Sequence, residues 1–141
     1  MFFFFDLDTQ MSNKNVSIWH DYVQNADPKR LNEILADDAV FYSPVVHTPQ
    51  RGKAIVSLYL TAASEVFFGA QFEYVGEWLS DDSAVLEFTT EIDGIVVNGV
   101  DMIRFNDEGK ISEFKVLIRP LKAVHIIHQK MGMMLEEMSG S

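Results

Sequence analysis

One acidic residue stands apart from the other charges in the second half of the chain. From Phe72 to Ile118 apolar and polar residues alternate with a period of two, the pattern of half-buried strands. Successive side chains of a strand point to opposite faces, so each run sorts by parity into two sets. One set is apolar: Phe72, Tyr74, Gly76 and Trp78; then Ala84, Leu86, Phe88, Thr90 and Ile92; then Phe114, Val116 and Ile118, with Ser112. The other carries Glu73, Glu77, Glu87, Glu91, Glu113, Lys115 and Arg119. In the run Ile95 to Phe105 the apolar set is Val97, Gly99, Ile103 and Phe105, and Asp101 belongs to it, while Met102 and Arg104 fall opposite. Asp101 is therefore the one charged residue expected on the inner face of the sheet. A carboxylate with apolar walls is poorly solvated, so its pKa is expected to rise. An acid of that kind in a concavity is a candidate for proton chemistry. Two plainer readings stand beside this one. A bulge at Gly99 would turn Asp101 outward, or Asp101 is a structural acid bonded to a buried Tyr, Trp or backbone group.

The other candidates are weaker. His47 lies in a loop with two prolines, Pro44 and Pro49, and is the best available proton acceptor if that loop borders a cavity; the plainer reading is a solvated loop histidine. His20 adjoins Trp19 and reads as a surface or rim residue. His125 and His128 are three apart on a helical segment, a spacing that suits two metal ligands, but no third ligand is near, so no metal is expected. There is no glycine-rich phosphate loop, nucleophile elbow or zincin motif, and no cofactor is expected. The absence of cysteine removes disulfides, thiolate metal sites and thiol nucleophiles together.

These residues need elements to hold them. Ile18, Trp19, Tyr22, Val23 and Ala26 recur at helical spacing, with Ser17 as a possible cap. Asp27 can cap a second short helix opened by Pro28, with Leu31, Ile34 and Leu35 as its stripe and Asp37-Asp38 as its end. Ala39 to Tyr42 reads as a strand, residues 43–52 as a loop, and Ala54, Ile55, Leu58, Tyr59 and Ala62 as one side of a third helix. The four strands are separated by Ser80-Asp81-Asp82-Ser83, by Asp93-Gly94 and by Asn106-Asp107-Glu108-Gly109, so neighbours are antiparallel. A last helix follows Pro120, and its Met131, Met133 and Met134 are adaptable packing material for a lid or a contact. The layout is α+β: three N-terminal helices and one C-terminal helix on one face of a curved antiparallel sheet. One domain is expected over 15–135, with a leader over 1–14 and a tail over 136–141.

With 11 Lys and Arg against 21 Asp and Glu in 141 residues, the net charge is −10. That balance, with no basic cluster, argues against nucleic acid and against an anionic membrane surface. The run Phe2 to Phe5 lacks the basic flank and length of a signal peptide, so a cytoplasmic location is the default; Met11 is an alternative start. The Phe run reads as a loose leader or as an anchor in a subunit interface. Val85, Val96, Val100 and Leu117 form an apolar row on the outward parity, which a homodimer would cover.

Three segments carry a family likeness: Leu35 to Pro44 (LADDAVFYSP), Arg51 to Ile55 (RGKAI) and Gly99 to Ile111 (GVDMIRFNDEGKI). Over about residues 15 to 135 the chain resembles the nuclear transport factor 2-like superfamily of cone-shaped folds, which includes ketosteroid isomerase, limonene epoxide hydrolase, scytalone dehydratase and the SnoaL-type polyketide cyclases. The resemblance implies a cystatin-like cone around a largely apolar cavity, of the ~300–1,000 Å³ usual for ligand pockets. It matches Asp101 to the protonated acid of ketosteroid isomerase. The general base of that enzyme would fall at Ser43, which cannot take up a proton at neutral pH as a carboxylate can, and its first-helix tyrosine falls at or near Trp19, with Tyr22 one turn later. The Asp-Arg-Asp set of the epoxide hydrolases is not evident. The implied function is a pocket for a small apolar molecule, used by an isomerase, cyclase or lyase on a carbonyl or hydroxyl compound, with Asp101 as acid and His47 as a replacement base. The alternative is a ligand-binding or dimerisation module without chemistry. Trp19, Tyr22, Ser43, Tyr59, Phe88, Ile103, Phe114, Val116 and Ile118 are the expected wall, together with Tyr42, Phe67 and Phe68.

Overall fold

A computed structural model describes the backbone of residues 2–140 and the side chains from Lys14 to Gly140. The elements run α1 (Phe2–Asn25), α2 (Pro28–Ile34), β1 (Leu35–Tyr42), β2 (Gln50–Arg51), α3 (Lys53–Phe67), β3 (Glu73–Leu79), β4 (Ser83–Ile92), β5 (Ile95–Phe105), β6 (Ile111–Arg119) and α4 (Leu121–Gly140). The strands form one curved, open sheet in the order β2-β1-β6-β5-β4-β3. It is mixed rather than purely antiparallel, because β1 pairs in parallel with β6. The α+β layout with four helices stands, and α1, α3 and α4 pack on the same side of the sheet. Among the described residues no helix is long and apolar enough to cross a membrane.

Local chemistry accounts for most boundaries. The Asp27 side chain accepts the Lys29 backbone N–H at 3.0 Å, and Pro28 opens α2. The β4–β5 turn places Asp93 at φ 51° and Gly94 at φ 79°, the left-handed pair that a two-residue hairpin needs. Several boundaries differ from expectation: β2 lies within the expected loop 43–52, and α4 runs to Gly140 through the segment read as a tail. The first helix does not begin at a Ser17 cap: α1 extends back to Phe2, Ser17 lies exposed within it, and its buried face is Val16, Trp19 and Tyr22 rather than Ile18 and Ala26. The side chains of Phe2 to Phe5 lie outside those described. Asp37-Asp38 ends no helix either. Both lie exposed within β1, where the pairing to β6 shifts between Leu35 and Val40 and lets two acids face water between buried Ala36 and Ala39.

The parity of the long strands sets the inner face. Ala84, Leu86, Phe88, Thr90 and Ile92 are all buried, as are Val97, Ile103 and Phe105. In β6 a register shift beside Phe105 puts Ile111 inward ahead of Phe114 and Val116. In β3 a register shift between Tyr74 and Gly76 reverses the expected faces beyond it. Trp78 pairs with Val85 and is 57% exposed, while Glu77 pairs with inward Leu86. Each large apolar side chain fully buried on that face contributes roughly 1.5–3 kcal/mol, and α3 and α4 supply the opposing wall through Val56, Leu60, Ala123 and Ile127.

Candidate functional site

Asp101 lies in the middle of β5, between Leu86 of β4 and Val116 of β6, and no bulge intervenes at Gly99. It is 7% exposed and is the only buried charged side chain among the described residues. Its Oδ2 accepts the Tyr74 hydroxyl at 2.6 Å. The Tyr74 Oη in turn accepts the Trp19 indole N–H at 3.0 Å. Burial pushes the Asp101 carboxyl up to about 7, against the Tyr74 hydrogen bond, which pulls it down. The Tyr74 phenol is raised well above 10, chiefly by burial and then by the Asp101 charge. Beyond Tyr74, His20 packs edge-on against its ring and holds the Glu77 carboxylate at 2.5 Å, at a half-exposed rim.

A void of about 40 Å³ adjoins Asp101. Its walls are Trp19, Phe41, Ser43, Pro44, Val45, Leu60, Ala63, Phe67, Phe68, Phe72, Phe88, Phe114, Val116, Ile127 and Met131. The space is far smaller than the hundreds of Å³ expected. Phe72 is stacked on Phe88, with ring centroids 5.3 Å apart, and meets Phe68 edge-on at 4.9 Å, so aromatic rings occupy the volume a ligand would need.

Six of the residues singled out from the sequence meet at this void: Trp19, Ser43, Phe88, Asp101, Phe114 and Val116, joined by Phe67 and Phe68. The others do not line it. Tyr22 is buried one turn from Trp19 with ring centroids 5.1 Å apart, and Tyr59 packs on the back of Phe41. Ile103 and Ile118 belong to neighbouring parts of the inner face, and Tyr42 turns outward under Lys115. His47 is exposed on the loop. Ser43 does line the void, but its Oγ accepts the Val45 and Val46 backbone N–H groups at 3.1 and 3.3 Å, a local turn that fixes the loop. Trp19 cannot act as a second donor into the void while its N–H is taken by Tyr74. His125 and His128 are both exposed on α4, and no group of three or more metal-ligating side chains converges among the described residues.

Sequence reasoning placed Tyr74 on the inner face and offered a buried Tyr as one partner for Asp101, but did not single out Tyr74; the bond to Tyr74 is the one that plainer reading described. Tyr74 pairs with Phe88, which pairs with Gly99, so the phenol reaches across β4 to the residue two places along β5. The space left at Gly99 is filled by Phe88 and Ile118 rather than by Tyr74, so no residue type there announced the contact.

The model of the SnoaL-like domain matches residues 16–114. The chain belongs to the SnoaL-like domain family. Among solved structures it is similar to a steroid delta-isomerase from Pseudomonas aeruginosa, with 32% identity, a TM-score of 0.86, and coverage of 93% of this chain and 96% of that one. It is also similar to an uncharacterized protein with a cystatin-like fold from Silicibacter pomeroyi DSS-3 (26% identity, TM-score 0.79, coverage 85% and 84%). SalBIII, an epoxide hydrolase/cyclase-like enzyme of pyran ring formation in the polyether salinomycin, shares the fold at 20% identity and a TM-score of 0.64, over 79% of this chain and 93% of that one. No curated protein sequence matches significantly. This SnoaL-like chain therefore has the cone-type fold that its sequence resembles.

Proposed function

We propose that the protein is an isomerase, cyclase or lyase for a small apolar carbonyl or hydroxyl compound, with Asp101 as its acid and hydrogen-bond donor. The observation that carries this reading is the placement of Asp101: a carboxyl raised to about 7, beside a void whose other lining residues are nearly all apolar. A neutral carboxylic acid can donate to an oxygen on which negative charge develops, and in a water-poor site such a donor contributes several kcal/mol. The likeness to a steroid delta-isomerase supports isomerisation within this class. Ser43 and His47 are not available as bases where they lie, and among the lining residues Asp101 alone titrates near neutrality. With a midpoint near 7 it is present in both forms there, so the neutral carboxyl can give its proton to the ketone oxygen, the carboxylate so formed can take the α proton and deliver it to the γ carbon, and the proton on oxygen then returns to Asp101. That no second titratable side chain lines the void among the described residues also favours the other reading, a module that holds a ligand without chemistry. In either case a ligand larger than a few atoms needs the aromatic walls to move apart.

The test offers two β,γ-unsaturated ketones, a 3-ketosteroid and a simple cyclohexenone, and follows the absorbance of the conjugated enone. The proton leaves the α carbon and returns at the γ carbon, so no co-reactant is needed. Turnover that falls about 100-fold in Asp101→Leu, with Asp101→Asn between, supports catalysis. Retention of either ketone in native mass spectrometry without conversion supports the binding module. Neither turnover nor retention rejects both.

The outer sheet face supports a homodimer. Trp78, Val85 and Met102 form one row across β3, β4 and β5, with Val100 and Leu117 in the next, ringed by Glu87, Arg104, Glu113 and Lys115. Trp78 and Leu117 are 57% and 51% exposed. An apolar patch that spans several strands can face its own copy across a twofold axis. Leu117→Glu is expected to convert a dimer to monomer in analytical ultracentrifugation, and a parent protein that sediments as a monomer at ~50 μM, well above the ~μM constants of ordinary interfaces, overturns this assignment.

A further inference from the structure

We propose that Trp19 and Tyr74 form a one-way hydrogen-bond relay that decides which oxygen of Asp101 carries its proton, holding Oδ2 as an acceptor and leaving Oδ1 to donate into the void. This deepens the reading of Asp101 as the donor and rests on it. The polarity follows from the groups themselves. An indole N–H can only donate. Trp19 Nε1 lies 3.0 Å from Tyr74 Oη, so that oxygen accepts there. The hydroxyl has one proton, and Asp101 Oδ2 at 2.6 Å is its one recorded acceptor among the described residues. If Asp101 carried its proton on Oδ2 and donated back, the Tyr74 proton would lose that acceptor, a costly outcome for a buried group. The arrangement that satisfies all three groups runs from Trp19 to Tyr74 to Oδ2. The acidic proton then belongs on Oδ1, for which no partner is recorded among the described residues, on a side chain that lines the void while Tyr74 does not.

The relay makes Tyr74 and Trp19 positioning residues rather than catalytic ones. It implies that the site recognises a ligand through a hydrogen-bond acceptor, such as a carbonyl or enolate oxygen, and discriminates against one that offers only donors. Among the described residues, the groups packed around Asp101 add no other titratable partner recorded in contact. Leu86 and Val116 flank it in the sheet, and Ile127 and Met131 face the void from α4. From α1 and β3, His20 packs edge-on against the Tyr74 ring and pairs with Glu77.

The test needs no ligand. In the whole protein, with 13C-labelled Asp carboxyls and 15N-labelled indoles, the Trp19 Nε1–H resonance is expected to titrate with the Asp101 carbon. As the carboxyl ionises, Tyr74 donates more strongly and its oxygen becomes a better acceptor. The exposed Trp78 is the internal control. In Tyr74→Phe the Asp101 midpoint is expected to rise by about one pH unit, because the ionised form loses its donor, and the Trp19 signal to stop responding. In Trp19→Phe the midpoint rises by less. A Trp19 resonance flat through the Asp101 titration, or a midpoint that stays put in both variants, overturns the relay. If Tyr74→Phe fails to fold, the wild-type titration and Trp19→Phe still decide. A protein that shows the coupled titration yet neither turns over nor retains the ketones keeps the relay and loses the functional reading.

Discussion

Replacing Asp101 with Asn is expected to remove a pH-dependent destabilisation of about 4 kcal/mol. The carboxyl rises from its ordinary 3.8 to about 7 on folding, and at ~1.4 kcal/mol per pH unit the interval is worth that much. The sign follows from proton counts. Between 3.8 and about 7 the folded protein keeps a proton that the unfolded chain has released, so this group makes stability fall as pH rises through the window. Below the window both states are protonated and the carboxyl carries no charge. Above it both are ionised and the full cost of burying the charge is paid. Asn keeps the shape, can accept the Tyr74 hydroxyl through its amide oxygen, and cannot ionise. The difference in unfolding free energy between Asp101→Asn and the parent should therefore shift toward the variant with rising pH, by about 3 kcal/mol from pH 5 to pH 8. Urea unfolding of both proteins at three pH values measures it. The raised Tyr74 phenol acts above pH 10 and does not enter this window. A difference that stays constant from pH 5 to 8 would mean that Asp101 titrates as an ordinary surface acid, and the proposed donor would go with it.

That one residue was legible because strand parity is a strong local signal. In β4 and β5 the alternation runs for ten and eleven residues without a register shift between them, so a lone acid on the apolar side cannot be moved without moving every neighbour. The same logic failed in β3, where one extra residue at Val75 turned Trp78 out and brought Glu77 in toward His20. No feature of the residue types there announces a bulge. The parallel pairing of β1 with β6 and the short β2 are long-range choices that a local pattern does not encode. The start of β1 was missed because Leu31, Ile34 and Leu35 suit a helical stripe, while in the fold Leu35 opens the strand beside Ile111. Around the site, wall residues such as Phe88 and Phe114 follow from parity. His47 and Ser43 depended on which way a loop faces, and the Ser43 hydroxyl spends its acceptor capacity on that loop's own backbone. Tyr74 was visible as an inward aromatic, but its partner lies two strands away, a relation only the sheet order supplies.

Gly99→Ala is expected to cost about 3 kcal/mol, near the upper end of the range for overpacking a well-filled interior. Its φ is not in the left-handed region, so the demand is for space rather than for conformation. A Cβ at 99 would lie 2.6 Å from the Leu117 carbonyl oxygen, 2.6 Å from Phe88 Cζ and 2.7 Å from Ile118 Cδ1. The two side chains can rotate away, but the carbonyl belongs to the neighbouring strand, so relief also requires β5 and β6 to part locally. Phe88 is buried and lines the void, so the ring displaced by the new methyl is forced toward the small space beside Asp101. Thermal unfolding should fall by roughly 10 °C, since about 1 kcal/mol moves the midpoint of a domain this size by ~3–5 °C. Phe88→Leu in the same background should restore part of the loss, whereas Phe88→Leu alone should destabilise by about 1 kcal/mol. Gly132→Ala, in the interior of α4 with nothing within 4 Å of the new methyl, supplies the opposite sign from the same substitution and should stabilise by about 0.5–1 kcal/mol. Equal midpoints for Gly99→Ala and the parent would mean that the row Tyr74, Phe88, Gly99, Ile118 is not packed as described, and the wall that carries Asp101 would lose its rigid backing.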